Sequence, residues 1–226
     1  NDLSHELRTP IATLLTHLEI LGLDDIGAAS RQQSLALSKA EAQRMARLID
    51  DMLELGRLEI ASELPRRLLD LLALVEDVVL QTTPRAAERQ MALSLEASSP
   101  LPMVLGNADR LRQVFLNLLD NALKYARPGD RIVVSLQRDE SSAAPDSIAC
   151  AVCDTGPGIP PEHLPHVMRR FYRAAPQRAE GSGLGLALVA EILRRHESRL
   201  EIESPVEGES GTCARFALPI AEASGT

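Results

Sequence analysis

The stretch SIACAVCDTGPGIP, residues 147–160, decides the fold. Residues 147–153 form a largely apolar, charge-free run that leads into Asp154, and 147–154 reads as a strand inside a sheet. The run then breaks at Asp154-Thr155-Gly156-Pro157-Gly158. A carboxylate at a strand end can be held partly buried to accept a hydrogen bond from a ligand's amine. Gly156 and Gly158 permit a turn that Cβ atoms would block. Taken alone, the same letters also suit a surface turn ahead of a helix start at Pro160-Pro161.

Working outward, RIVVSLQ (131–137) reads as a second strand, and a strongly amphipathic helix is predicted over 108–126. Asp70 is placed to cap a helix over 71–88, followed by an alternating strand, MALSLEA, at 91–97. Downstream, GSGLGL (181–186) leads into a helix that reaches His196, and strands are expected at 199–204 and 212–218. Strands and helices interleave without a regular strand-helix-strand repeat. An α/β sandwich with a mixed sheet and helices on one face is therefore expected, rather than a doubly wound fold.

The first sixty residues are different in kind. Leu7, Ile11, Leu14, Leu18 and Leu21 follow steps of four and three, the seam of a bundled helix. Residues 22–30 suit a turn with Ser30 as the cap of a second helix, over 31–61. That helix carries Met45, Leu48, Met52 and Leu55 at the same spacing, flanked by Ile49 and Leu53. A lone helical hairpin buries too little surface to be stable, so two copies are expected to pair as a four-helix bundle, a homodimer. Pro65 marks the change of composition. The division expected is 1–62 for the all-α hairpin, 63–222 for the α/β module and 223–226 for a tail.

Three further stretches carry chemistry. GSGLGL opens a helix, where backbone N–H groups form an anion site and close glycines (Gly181, Gly183, Gly185) let phosphate approach. In NLLDNALKY (117–125), Asn117, Asn121 and Lys124 fall at i, i+4 and i+7 and line one helix face, while Leu116, Leu119 and Leu123 point elsewhere. Two amide oxygens and a lysine could hold Mg²⁺ and nucleotide phosphates. The sequence has two lysines against 22 arginines, so an inward lysine points to phosphate held by a compact charge. In SHELRTP (4–10), His5 lies off the Leu7 seam, and a neutral imidazole nitrogen is a competent nucleophile. Glu6 can accept the other ring proton, and Pro10 offers no N–H to the Glu6 carbonyl, loosening the helix beside His5.

Composition bounds the rest. The formal charge of −8 gives no basic surface for sequence-independent nucleic-acid binding. Aromatics are 2% and Trp is absent, so the core must come from aliphatic side chains. No apolar run approaches the ~20 residues that span a bilayer, and no membrane contact by this segment is expected. Cys150 and Cys153 sit at odd spacing on one strand and point to opposite faces, so with Cys213 they read as core thiols rather than a disulfide framework, as suits a reducing cytosol.

Together these stretches resemble the sensor histidine kinases of two-component signalling. SHELRTP resembles the family's H-box, NLLDNALKY its N-box, DTGPGIP its first glycine box and GSGLGL its second. Phe171-Tyr172-Arg173 resembles the start of the ATP lid, and Gly211-Thr212 before Leu218-Pro219 the terminal glycine box. The resemblance implies an enzyme using ATP and Mg²⁺, with His5 as phosphoacceptor, Glu6 as its base and Thr9 orienting water for phosphatase activity. It implies Mg²⁺ on Asn117 and Asn121, phosphate on Lys124, Tyr125 against the nucleotide and Asp154 on the adenine amine. Gly156, Gly158, Arg173, Gly181, Ser182, Gly183, Leu184, Gly185 and Thr212 complete the implied nucleotide site. The implied partner is a response-regulator receiver domain, and the implied location is the cytoplasmic portion of a bacterial inner-membrane protein.

Two departures stand out. His196-Glu197-Ser198 replaces the family's His-Gly-Gly, so a different turn is expected there. Val167-Met168 stands where the family prefers an aromatic. Hydrolytic ATPases on the same fold carry a Glu where Asn117 stands, and an amide cannot act as that base. A dimeric scaffold that binds without turnover would be expected to have lost some of these site residues, whereas all are present.

Overall fold

The computed structural model describes residues 2–23, 25–60, 64–139, 146–174, 182–206 and 210–221, with the side chains of 2–6, 9 and 139 outside that set. The chain runs α1 (Asp2–Leu21), α2 (Ala28–Ile60), β1 (Arg67–Leu69), α3 (Leu71–Glu88), β2 (Ala92–Ala97), β3 (Val104–Gly106) and α4 (Ala108–Tyr125). It continues with β4 (Arg131–Asp139), β5 (Ser147–Asp154), α5 (Gly185–Arg195), β6 (Glu201–Glu203) and β7 (Thr212–Pro219).

The five-stranded sheet has the order β2-β4-β5-β7-β6, with β2 and β4 parallel and the other pairs antiparallel. Inward residues alternate as a half-covered sheet demands: Ile132, Val134 and Leu136 on β4, Ile148, Cys150 and Val152 on β5, Ala214, Phe216 and Leu218 on β7. These meet α3, α4 and α5, which cover one face. The mixed sheet with helices on one face is therefore as expected from sequence. A second, small sheet pairs β1 with β3 antiparallel, and neither strand was foreseen.

Helix starts follow their caps. The Asp70 carboxylate accepts from the Ala73 N–H at 3.1 Å and starts α3. The Asn107 side chain does the same for Arg110 at the start of α4. The expected cap at Ser30 is not used: α2 begins at Ala28, and the Gly27 carbonyl accepts the first helical bond, from Arg31. Pro10 lies within α1, buried, without ending it.

In the hairpin, Leu48, Leu55 and Leu58 are buried, whereas Ile11, Leu15, Leu18, Leu35, Ile49 and Leu53 are exposed. The 33-residue α2 outruns the 20-residue α1 by thirteen residues, about 20 Å of helix. Its last turns are not free: Leu55 and Leu58 belong to the same apolar cluster as Leu111, Leu188 and Ile192 of the α/β module.

One expectation is corrected here. Cys150 is a buried free thiol as read, but Cys153 is bonded to Cys213. The antiparallel pairing of β5 with β7 brings these two into register on the sheet face away from the helices. The turn after α5 is made without glycine. Glu197 itself adopts the left-handed conformation, φ 59°, and Ser198 donates back to the Leu193 carbonyl at 2.9 Å.

Candidate nucleotide site

The end of β5 supplies the first element. The Asp154 Oδ1 accepts the Gly156 N–H at 2.9 Å, and Thr212 adds a second backbone hydrogen bond from β7. Burial pushes the carboxyl up to about 6, with the charge of Asp130 adding to it and the two N–H donors opposing. A half-buried carboxylate with acceptor capacity left is suited to an amine donor.

The turn beyond is clamped from the residue that follows β6. The buried Ser204 hydroxyl accepts the Ile159 N–H and donates to the Gly211 carbonyl, both at 2.7 Å. A Cβ at Gly158 would meet that hydroxyl at 2.9 Å.

From α4, Asn117, Asn121 and Lys124 share one half-buried face, as the i, i+4, i+7 spacing requires. The Asn117 Nδ2 is buried without a partner. An orphaned amide there is costly unless a ligand or ion completes it. Which end of the amide faces inward is interchangeable, so its oxygen can serve a cation equally. Lys124 is bonded to Asp120 at 2.6 Å, and Asp120 also holds Arg85 at 2.7 Å. Burial raises the Asp120 carboxyl, but the two cations outweigh it and hold the group below the usual range. Asp120 thus stays ionised and paired, unsuited to act as a base. Tyr125 closes the helix, 43% exposed.

The loop into α5 supplies the third element. Gly183 has φ 70°, and a Cβ there would meet the Phe171 backbone at 2.7 Å, so the close approach of the two segments requires glycine. The Phe171 N–H bonds the Gly183 carbonyl at 2.9 Å. Gly185 begins α5 beside Asn117, whose Oδ1 would lie 3.9 Å from a Cβ at that position. A helix start and the orphaned amide therefore face one another. The side chain of Leu184 is fully buried in the apolar cluster, so only its backbone reaches this loop. Arg173 and Thr212 are half-buried at the margin, and Gly181 lies outside the described residues. His5, Glu6 and Thr9 lie on α1, with side chains outside the described set.

The site also touches α2. The Ser182 hydroxyl donates to Asp51 Oδ2 at 2.7 Å and accepts the Leu184 N–H at 3.2 Å. Gln113 donates to Glu54 at 2.8 Å, Arg110 and Arg170 pair with Glu54 and Glu59, and Arg195 donates to the Leu58 carbonyl.

Comparison with known proteins gives the family. Residues 106–222 match the family described as histidine kinase-, DNA gyrase B-, and HSP90-like ATPase, and residues 1–60 match the His Kinase A (phospho-acceptor) domain. The chain belongs to the sensor histidine kinases of two-component systems. That family consists of ATP-dependent protein-histidine kinases. The phosphate regulon sensor protein PhoR of Pseudomonas aeruginosa is 36% identical over 98% of this chain and 50% of its own length. Full-length ShkA, solved in complex with AMPPNP, is 28% identical with a TM-score of 0.72, over 99% of this chain and 46% of ShkA. ThkA, solved with the response regulator protein TrrA, shares the fold at 19% identity and a TM-score of 0.77, over 97% of this chain and 60% of ThkA. The chain spans a third to a half of the length of such curated relatives.

Against this histidine-kinase frame, sequence reasoning missed four contributors. Ser204 and Asp51 act through contacts far away in sequence. Asp120, four residues before Lys124 on the same helix, ties that lysine. His196 is buried, accepting the Asn107 N–H on Nε2 at 3.0 Å and facing the Ile192 carbonyl through Nδ1, so it joins the ends of α4 and α5. Of the family's aromatic position, Val167 is buried and Met168 exposed.

Proposed function

We propose that the chain binds Mg-ATP between α4, the Asp154 turn and the start of α5, and transfers the γ-phosphoryl group to His5. The observation that carries this is the meeting of the orphaned Asn117 amide with the N-terminus of α5, opposite an amine-accepting Asp154. In that reading Asp154 takes the adenine amine, and the α5 start with Ser182, Gly183 and Gly185 takes phosphate. Lys124 turns from Asp120 toward the triphosphate, with Tyr125, Gly156, Gly158, Arg173 and Thr212 lining the rest. Asn117 and Asn121 are the oxygen donors that fit Mg²⁺, which when bound neutralises triphosphate charge. An imidazole nitrogen of His5 attacks the γ-phosphorus, the bond to the β-γ bridging oxygen breaks and ADP departs. Glu6 holds the proton on the other ring nitrogen.

The phosphoryl group then passes to an aspartate of a response-regulator receiver domain, and Thr9 positions the water that hydrolyses the phospho-aspartate, releasing inorganic phosphate, in a separate phosphatase reaction. Two chains pair through the hairpin, covering the exposed stripe of Ile11, Leu15, Leu18, Leu35, Ile49 and Leu53. The functional division falls near residue 62. Among the described residues no helix is long and apolar enough to cross a membrane, in keeping with the cytoplasmic portion of a membrane sensor.

The test is autophosphorylation with γ-labelled ATP and Mg²⁺. An acid-labile, alkali-stable phosphoprotein is expected in the native chain and absent from His5→Gln and Asn117→Ala. Label that survives His5→Gln would move the nucleophile elsewhere. Nucleotide binding without any label would favour a non-catalytic scaffold.

A further inference from the structure

The register that pairs Cys153 with Cys213 is followed at once by Asp154 paired with Thr212. On both strands, therefore, a cysteine is the immediate neighbour of a residue at the adenine end of the site. Thr212 also hydrogen-bonds the Asp154 carboxylate through its backbone. We propose that Cys153 and Cys213 form a reversible dithiol–disulfide modification site that tunes nucleotide binding. The inference rests on the nucleotide reading above.

Access differs between the two sulfurs. Cys153 lines a cleft of about 250 Å³, together with Arg131, Val133 and Asp154. Cys213 is fully buried. The third cysteine, Cys150, faces the helices, and burial pushes its thiol far above the usual range, so it is inert.

The chemistry needs a disulfide oxidant of low molecular weight. The Cys153 thiolate attacks one sulfur of that disulfide, forming a mixed disulfide and releasing one thiolate. The Cys213 thiolate attacks the Cys153 sulfur, closes the cross-strand bond and releases the second. Overall, one protein dithiol and one small disulfide give one protein disulfide and two small thiols. The bond ties β5 to β7 one residue from Asp154 and Thr212. Reduction releases that tie and leaves the end of the site less preorganised.

The test compares the 226-residue chain after dithiothreitol with the same chain after oxidised glutathione. Thiols are counted in denaturant, and the Kd of a non-hydrolysable ATP analogue with Mg²⁺ is measured by calorimetry. The oxidised chain is expected to show one thiol instead of three, and binding about fivefold tighter, the low end of ordinary coupling between sites. Cys150→Ala should keep the difference. Cys153→Ser, at the accessible position, should abolish it while still binding nucleotide. Three thiols after oxidation, or equal Kd values with the bond formed, would overturn the proposal. Absence of binding in both states would instead overturn the nucleotide reading, and the coupling with it.

Discussion

The carboxylate of Asp51, on α2, accepts a 2.7 Å hydrogen bond from the hydroxyl of Ser182 on the loop into α5. An acidic side chain from the helical hairpin thus lies at a helix N-terminus, where an anion is favoured. Burial raises the Asp51 carboxyl, while Ser182 and the charge of Lys124 draw it back. A triphosphate would seek the same ground, so docking on α2 and nucleotide binding oppose each other. Asp51→Asn should tighten ATP-analogue binding about two- to fivefold, the 0.3–1 kcal/mol a charge is worth at a helix end. Calorimetry on both chains checks this, and weaker binding in the variant would remove the antagonism.

Asp154 should make nucleotide binding pH-dependent. Its carboxyl is pushed up to about 6, so the amine-accepting ionised form prevails only above that pH. Affinity should fall as pH drops through 6, approaching about tenfold per unit below it. The sign for folding is opposite. A carboxyl raised above its unfolded value contributes stability below about 4 and loses it as pH rises through 6. Asp154→Asn should therefore melt higher at pH 7 while binding nucleotide poorly. A flat binding profile between pH 5 and 7 would contradict this assignment.

Glu197 occupies a left-handed position that an L side chain adopts at a cost of roughly 1–2 kcal/mol. Its ion pair with Arg66, at 2.7 Å, is largely exposed and worth less than that. Glu197→Gly should stabilise the fold by about 0.5–1 kcal/mol in urea titration. Destabilisation would mean that the Arg66 contact outweighs the backbone cost.

Much of this was legible in advance where a period repeats. The asparagine face of α4 and the strand ending in Asp154 emerged because a helix or strand of that length writes its own periodicity. Three-residue strands do not, so β1 and β3 were invisible. Contacts between distant segments were equally hidden. Cys153 and Cys213 are 60 residues apart, and only the choice of β7 as β5's neighbour sets them side by side. Ser182 and Asp51 meet through docking of one module on another, which no local pattern encodes. At Glu197 the missing glycine was legible, but not that an L residue would itself take the left-handed conformation there.

Leu58, 2% exposed, packs in the α/β module's cluster although it belongs to the hairpin's helix. Leu58→Ala should cost about 2–5 kcal/mol, as for other buried leucines. The loss should appear in the melting of the α/β module and not only of the hairpin. Hydrogen exchange on β4 and β5 amides resolves the two, and protection unchanged there would separate the modules.

That shared leucine pair makes α2 a drive shaft with its load keyed onto the far end. Successive residues stand about 100° apart around a helix, so a modest twist of the bundle swings Leu55 and Leu58 out of their sockets together. Torsion applied near α1 would reach the nucleotide-binding module as ejection or seating, with no lateral bending of the rod required.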